Sequence, residues 1–204
     1  METRMRTRLF AAISLALMLV MAAGCAKVPT ETVDAVRTAM DAARSAEAGA
    51  YAKDAMAAAD QAVAAMDEEM KAQEGKFVLL RSFGKTKELA AAAQVAADAA
   101  ANAGREGKAR TRDEATTAIN DAKAAAESAR AVLDTAVLGK GSAADIEAMK
   151  QDLMAVMTSL TEADAAFSAE DYLGAKAKAE AAMASAQGIE QAVAQAKEMA
   201  KGRR

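Results

Sequence analysis

Histidine and tryptophan are missing from this chain, and cysteine and proline occur once each. Without histidine there is no imidazole to serve as a general base, to activate a serine, or to bind a metal. A single cysteine, Cys25, excludes an internal disulfide. The single proline is Pro29, so no such residue interrupts helix formation beyond it. Aromatic residues make up 3% of the 204, which leaves Met, Leu, Val and Ile as the larger candidates for a core. An excess of positive charge is absent too. The formal net charge is -3, so there is no global attraction to nucleic acid or to an anionic membrane.

What remains is mostly helix-forming. Hydrophobic residues account for 53% of the chain. Roughly three residues in ten are alanine, whose burial removes little area from water, so the core is thinner than the percentage implies. Ala, Glu, Lys, Asp and Met without proline predict helix nearly throughout.

The N-terminus has the pattern of a cleaved leader over residues 1–24. Arg4, Arg6 and Arg8 form a positive region, Leu9 to Met21 is apolar, and Ala22-Ala23-Gly24 supplies small residues before a cleavage point. The apolar run is about 15 residues, shorter than the roughly 20 a spanning helix needs. The segment Met21-Ala22-Ala23-Gly24-Cys25 resembles the lipobox of bacterial lipoproteins, with Ala22 where leucine is more usual. That resemblance implies cleavage between Gly24 and Cys25, lipid on the Cys25 thiol, and acylation of the new amine. Multiple acyl chains give stable anchoring where one is marginal. Ala26, rather than Asp, at the next position implies an outer-membrane destination on the periplasmic face. Residues 25–30 then form a lipidated tether, which places the body within about 15–20 Å of the bilayer. Removing the leader takes away three of 26 basic and one of 29 acidic residues, leaving a charge of about -5.

Behind the tether, residues 31–200 read as an alanine-rich helical domain and residues 201–204 as a basic tail. Apolar positions step by three and four: Val33, Val36, Met40, Ala43; then Met56, Ala59, Val63, Met66, Met70, resuming at Phe77 and Leu80. Leu89, Ala92, Ala96, Ala99 and Ala103 follow. The series Ala115, Ile119, Ala122, Ala126, Ala129, Leu133 comes next, then Ile146, Met149, Leu153, Val156, Leu160, Ala163, Phe167. Tyr172, Ala175, Ala179, Ala182, Ala186, Ile189, Val193 and Ala196 close the chain. The expected fold is all-α: five or six helices as antiparallel hairpins in a bundle, with coiled-coil-like, alanine-rich seams.

Local chemistry suggests the breaks. Gly49 is expected to end the first helix and Ser82 to cap the one carrying Leu89. Residues 104–110 either break a helix or bend it, with Thr111 to Glu114 as a capping box behind. Gly139 to Ser142 reads as a turn, and Ser168 to Asp171 as a second cap of the same kind. An aromatic at a helix junction before an alanine-rich helix recurs at Tyr51, Phe83 and Phe167. This suggests a weak internal repeat that pairs Ala50-Tyr51 with Ala166-Phe167.

Three stretches, Ala46 to Ala52, Lys71 to Phe77 and Arg81 to Leu89, resemble small bacterial lipoproteins with an alanine-rich helical domain of unknown function. The resemblance covers roughly residues 30 to 135. It departs at Lys53, where proline is common, and at Phe83, where tyrosine is common. It implies a location and a fold, and no activity. Phe167, Asp171-Tyr172, Ala175 and Ala179 also resemble one tetratricopeptide-type hairpin, of which a single copy is readable.

No catalytic, cofactor or metal site is expected. If Cys25 carries lipid, no thiol is left as a nucleophile. No glycine-rich phosphate loop follows a strand. No loop of alternating Asp and Asn offers a calcium site. The carboxylates read as solvated helix faces beside lysines and arginines. Four further features have two readings each. Phe77-Val78-Leu79-Leu80, the densest apolar run of the body, is expected to be a buried helix end, the rival being a docking patch for a partner or lipid. Arg105, Lys108, Arg110 and Arg112 are expected to form a solvated linker, the rival being contact with an anionic envelope glycan. The 13 methionines are expected mostly in the core, the rival being a soft binding surface. Lys197, Lys201, Arg203 and Arg204 are expected to aid solubility. Covalent peptidoglycan attachment through a terminal lysine does not fit, because the last residue is Arg204. The function expected is therefore non-enzymatic: a lipid-anchored structural or scaffolding protein of the envelope, acting through helix-helix contact as a homo-oligomer or with an envelope protein. The alternatives are a tetratricopeptide-like peptide-binding module and a glycan binder. Neither nucleic acid nor a small-molecule substrate is expected as partner.

Overall fold

The computed structural model describes residues 28–136 and 143–202. Cys25, the leader, the turn at Gly139 to Ser142, and Arg203 and Arg204 lie outside the described residues. The fold is all-α, and no strand occurs among the described residues. Among the described residues six α-helices follow one another: α1 (Thr30–Ser45), the single turn α2 (Ala48–Tyr51), α3 (Lys53–Glu74), α4 (Gly84–Asp134), α5 (Ala143–Ser168) and α6 (Tyr172–Gly202). A 3-10 turn, Val78–Leu80, sits between α3 and α4. They divide into two compact units, one ending at Arg105 and one beginning at Glu106, where the sequence reading had one domain over 31–200. α4 supplies a helix to each.

In the first unit the core is built by Val33, Val36, Met40 and Ala43 of α1, Ala59 and Met66 of α3, and Ala90, Ala93, Ala97 and Ala100 of α4. The seam residues of α1 and α3 are those expected. The α4 stripe is displaced by one residue: Leu89 and Ala96 are half-buried, and Ala92 and Ala99 are exposed. In a run this rich in alanine, hydropathy barely distinguishes one face from the next, and anchoring the pattern on Leu89 put it a step off. The buried face starts instead from Phe83 and Thr86.

The helix directions follow from side-chain contacts. The Ser82 N–H donates to Gln73 Oε1 at 3.0 Å, and Lys85 pairs with Glu69 at 3.5 Å. The end of α3 therefore lies beside the start of α4. Gly104 lies against the other end of α1: a Cβ there would sit 2.7 Å from the Ala46 carbonyl oxygen. α1 and α4 thus run together, with α3 antiparallel between their ends.

Residues 104–110 neither break nor cap. α4 continues through them, and Gly104 and Gly107 are buried in it. Thr111 is not a helix start, because its hydroxyl donates to the Gly107 carbonyl one turn back, at 2.9 Å. Gly104 is glycine because α1 and α2 approach too closely for a side chain.

The first helix stops before Gly49. Glu47 takes the left-handed conformation (φ 54°), and Gly49 lies inside the short α2. The end of α5 is built alike, with Glu170 at φ 62°. There the Asp171 N–H donates to the Ala166 oxygen and the Glu170 N–H to the Phe167 oxygen, both at 3.0 Å, a Schellman closure with Glu in place of glycine. Ser45-Ala46-Glu47 and Ser168-Ala169-Glu170 thus end their helices in the same way. Ser168 is not the cap of α6; its hydroxyl donates back to the Asp164 oxygen. The cap is Asp171, whose Oδ1 accepts the Gly174 N–H at 2.9 Å. Ser82 likewise does not head α4, since the Phe83 carbonyl accepts the Lys87 N–H.

The second unit is a three-helix bundle. Ala115, Ile119, Ala122, Ala126, Ala129 and Leu133 of α4 meet Val156, Leu160 and Ala163 of α5, and Ala175, Ala179, Ala182, Ala186, Ile189 and Val193 of α6. Nine of these fifteen residues are alanine, whose small side chains let the helix axes come close. Ion pairs fix the directions. Lys123 to Asp164 (2.9 Å) joins α4 to α5, Lys178 to Glu162 (2.6 Å) joins α6 to α5, and Lys176 to Glu114 (2.7 Å) joins α6 to α4. α5 therefore runs against both neighbours. Phe167 and Tyr172 pack edge-on at 5.1 Å where α5 turns into α6.

Candidate interaction surfaces

The surface of the first unit is dominated by the α3–α4 tip. Phe77, Val78, Leu79 and Leu80 are 69%, 48%, 78% and 72% exposed, which corrects the expectation of a buried helix end. The reason lies in the backbone. α3 ends at Glu74, the chain makes a 3-10 turn, and the next packed residue is Phe83, 4% exposed. The helical spacing that seemed to continue from Met70 through Gln73 to Phe77 therefore no longer applies.

The tip is held from beneath. Gln73, 6% exposed, accepts the Ser82 N–H and donates to Glu69 Oε1 at 2.6 Å. The Arg81 guanidinium donates to the carbonyls of Glu74 (2.7 Å) and Lys76 (3.0 Å), closing the loop on itself. The Gln73 hydrogen bond, and then the Lys85 ammonium, hold the Glu69 carboxyl below its ordinary value. Thr86, buried behind the tip, has no hydrogen-bond partner for its hydroxyl.

In the second unit an open groove of about 690 Å³ lies between α4 and α5. Ala126, Leu133, Leu153, Met154, Met157 and Leu160 form its floor and sides. Met154 and Met157 are 61% and 54% exposed. Lys123, Arg130, Lys150, Glu127, Asp134, Glu147 and Asp164 also line it, with Lys123 paired to Asp164 and Arg130 to Asp134. Met40 and Met66 are core residues, and Met56, Met70 and Met149 are half-buried against the cores. Six of the nine described methionines, Met183 included, thus lie in or against the cores as expected, whereas Met199 is exposed and Met154 and Met157 flank the seam Leu153, Val156, Leu160 on its outer side. That off-seam spacing was the available sequence signal for the groove.

The basic residues of α4 do not form one patch. Arg105 donates to Asn102 Oδ1 at 2.6 Å. Lys108 is 25% exposed, pairs with Glu170 at 3.0 Å, and has its ammonium 5.9 Å from the Tyr172 ring centre. Arg110, two residues from both Lys108 and Arg112, lies on another side of the helix. It borders a shallow surface with Asp113, Glu114 and Lys176. Lys108 thus belongs to the α5–α6 turn, where the Phe167–Tyr172 pair is also engaged.

Among the described residues no group of three acidic or cysteine side chains is placed to hold a metal. No described helix is long and apolar enough to cross a membrane. No protein-family model, curated protein or solved structure matches the chain.

Proposed function

We propose that the chain is a lipid-anchored protein of the bacterial envelope with a non-enzymatic, structural or scaffolding role. In this reading Cys25 carries the lipid and the helical body docks on other helices. The observation that carries the docking half is the α4–α5 groove. Apolar side chains line it, two of them exposed methionines, together with charged residues of both signs, which suits an amphipathic helix of another molecule. Thioether side chains are flexible and polarizable, so they adapt to irregular partners. The anchoring half rests on the arginines of the leader, its short apolar run, and the lipobox-like segment at Cys25.

The glycan-binding alternative has less support, because Lys108 is tied to Glu170 and Arg110 points away from Arg112. The peptide-binding alternative rests on one aromatic hairpin, whose rings pack on each other at the turn. Crosslinking in intact cells with photoreactive residues at Met154 and Met157 separates these readings. Self-crosslinks or one envelope protein joined at both positions are expected. Labelling confined to Arg105 and Arg112, with Met154 and Met157 silent, would reject helix docking at the groove.

A further inference from the structure

The tip at residues 77–80 differs from every other apolar segment described. Each α-helix longer than one turn buries one face, whereas all four side chains of the tip are exposed, Leu79 most of all. Four consecutive apolar side chains are thus open to solvent at a tight turn.

Its position is informative. Gly104 packs on Ala46 and Ala48, so the C-terminal end of α1 lies at the far end of the first unit from Glu69 and Lys85. From there α1 runs back along the core, burying Ala43, Met40, Val36 and Val33 in turn. Thr30, where the chain arrives from Cys25, is therefore at the same end as the tip. α1 has 16 residues and α3 has 22, lengths of about 24 and 33 Å at the helical rise. The tip thus reaches at least as far along the bundle as the point where the tether enters.

Charge selects the occupant. Residues 69–88 contain Lys71, Lys76, Arg81, Lys85 and Lys87 against Glu69, Glu74 and Glu88, a local charge of +2 in a chain of net charge -3. Apolar side chains at the apex with basic ones around them suit an anionic phospholipid surface: the apex enters the acyl region and the cations meet headgroup phosphates. Another acidic helical body would match the charge but would not require the apolar apex to stand at the tethered end.

We propose that Phe77, Val78, Leu79 and Leu80 form a second membrane contact, inserting beside the lipid on Cys25 into anionic phospholipid and standing the first unit end-on to the bilayer. The proposal rests on the anchored reading for its geometry. The apolar tip and its basic collar do not depend on that reading.

The absence of tryptophan provides the test. Leu79→Trp puts a single reporter at the apex, and Val95→Trp, at a position 70% exposed along α4, puts one outside it. The full chain, processed by its host, is reconstituted in phosphatidylethanolamine vesicles containing phosphatidylglycerol, with and without brominated acyl chains. The Leu79→Trp emission is expected to shift to the blue and lose more than half its intensity to the brominated lipid, with Val95→Trp unchanged. Replacing phosphatidylglycerol by phosphatidylcholine is expected to reduce the quenching. The same reporters in a Cys25→Ser chain added to vesicles read the tip without the lipid. An acylated protein whose Leu79→Trp emission is unquenched overturns the tip contact and leaves the anchor intact. Quenching in a protein whose mass shows no acyl group supports the tip and rejects the anchor. A blue shift that appears without lipid and grows with protein concentration means that a second copy covers the tip, and overturns the proposal.

Discussion

Thr86 and Gly104 show how individual residues depart from what their type suggests. The Thr86 hydroxyl is buried with no partner for hydrogen bonding, a position that a methyl group fills without the desolvation cost. Thr86→Val is expected to raise stability by about 1 kcal/mol, read as the denaturation midpoint with unchanged slope. Two glycines inside helices are expected to respond in opposite directions. Nothing lies within 4 Å of a Cβ at Gly188, so Gly188→Ala gains helix propensity and is expected to stabilise by about 0.5–1 kcal/mol. At Gly104 the same change places a methyl 2.7 Å from a backbone oxygen and 3.0 Å from the Ala48 Cα. Gly104→Ala is therefore expected to destabilise by about 1–3 kcal/mol despite the same propensity gain. Equal melting temperatures for the two variants would show that α1 and α4 are not in close contact at this point.

At the scale of the helices, legibility tracked side-chain contrast. Ile119 and Leu133 stand out among alanines, and the seam from Ala115 to Leu133 is buried as the spacing predicts. From Ala90 to Ala101 there is little contrast, and the predicted face slipped by one residue. The end of α1 was expected at Gly49 and the cap of α6 at Ser168, because glutamates, Glu47 and Glu170, take the left-handed position that glycine usually fills. Gly104 and Gly107, read as signs of a break or bend, do not break the helix; both are buried inside it. The tip was misread because apolar periodicity does not record where the chain leaves its helix.

The ion pairs between helices carry a pH signature. Hydrogen bonding and charge from Lys176 hold the Glu114 carboxyl below its ordinary value, and Lys178 does the same to Glu162. Glu114 in turn holds the Lys176 ammonium above the usual lysine value. A lowered carboxyl contributes stability above its unfolded value, and this is lost as pH falls through the folded one. A raised ammonium contributes below its unfolded value, and this is lost as pH rises through the folded one. Both contributions are present at neutral pH. The melting temperature is expected to be level there and to fall below the ordinary glutamate range. Glu114→Gln with Glu162→Gln is expected to lower the neutral plateau slightly and flatten the acid limb. An acid limb unchanged by that pair would show that other carboxylates govern it.

For the whole molecule, the two units were not legible because the segment that separates them, the polar and glycine-containing residues 104–110, reads as a break or bend within a helix and not as a boundary between units. The boundary at Arg105 falls inside α4, with neither proline nor a loop, and alanine-rich seams continue on both sides. The all-α class, the number of helices and the antiparallel hairpins were legible, since they follow from periodicity and the lack of helix breakers. The candidate surfaces were only partly so. The apolar tip is visible as a string of letters, but its exposure is decided by a turn. The groove exists only once α5 is laid beside α4.

The central claim is that this body is held at a membrane by lipid on Cys25, and intact mass of the protein recovered from the membrane fraction tests it most directly. The account predicts a chain beginning at Cys25, heavier than its sequence by a diacylglyceryl group and an amide-linked acyl chain, with neither present in a Cys25→Ser variant. A mature chain cleaved elsewhere, or beginning at Cys25 with no added mass, would contradict it.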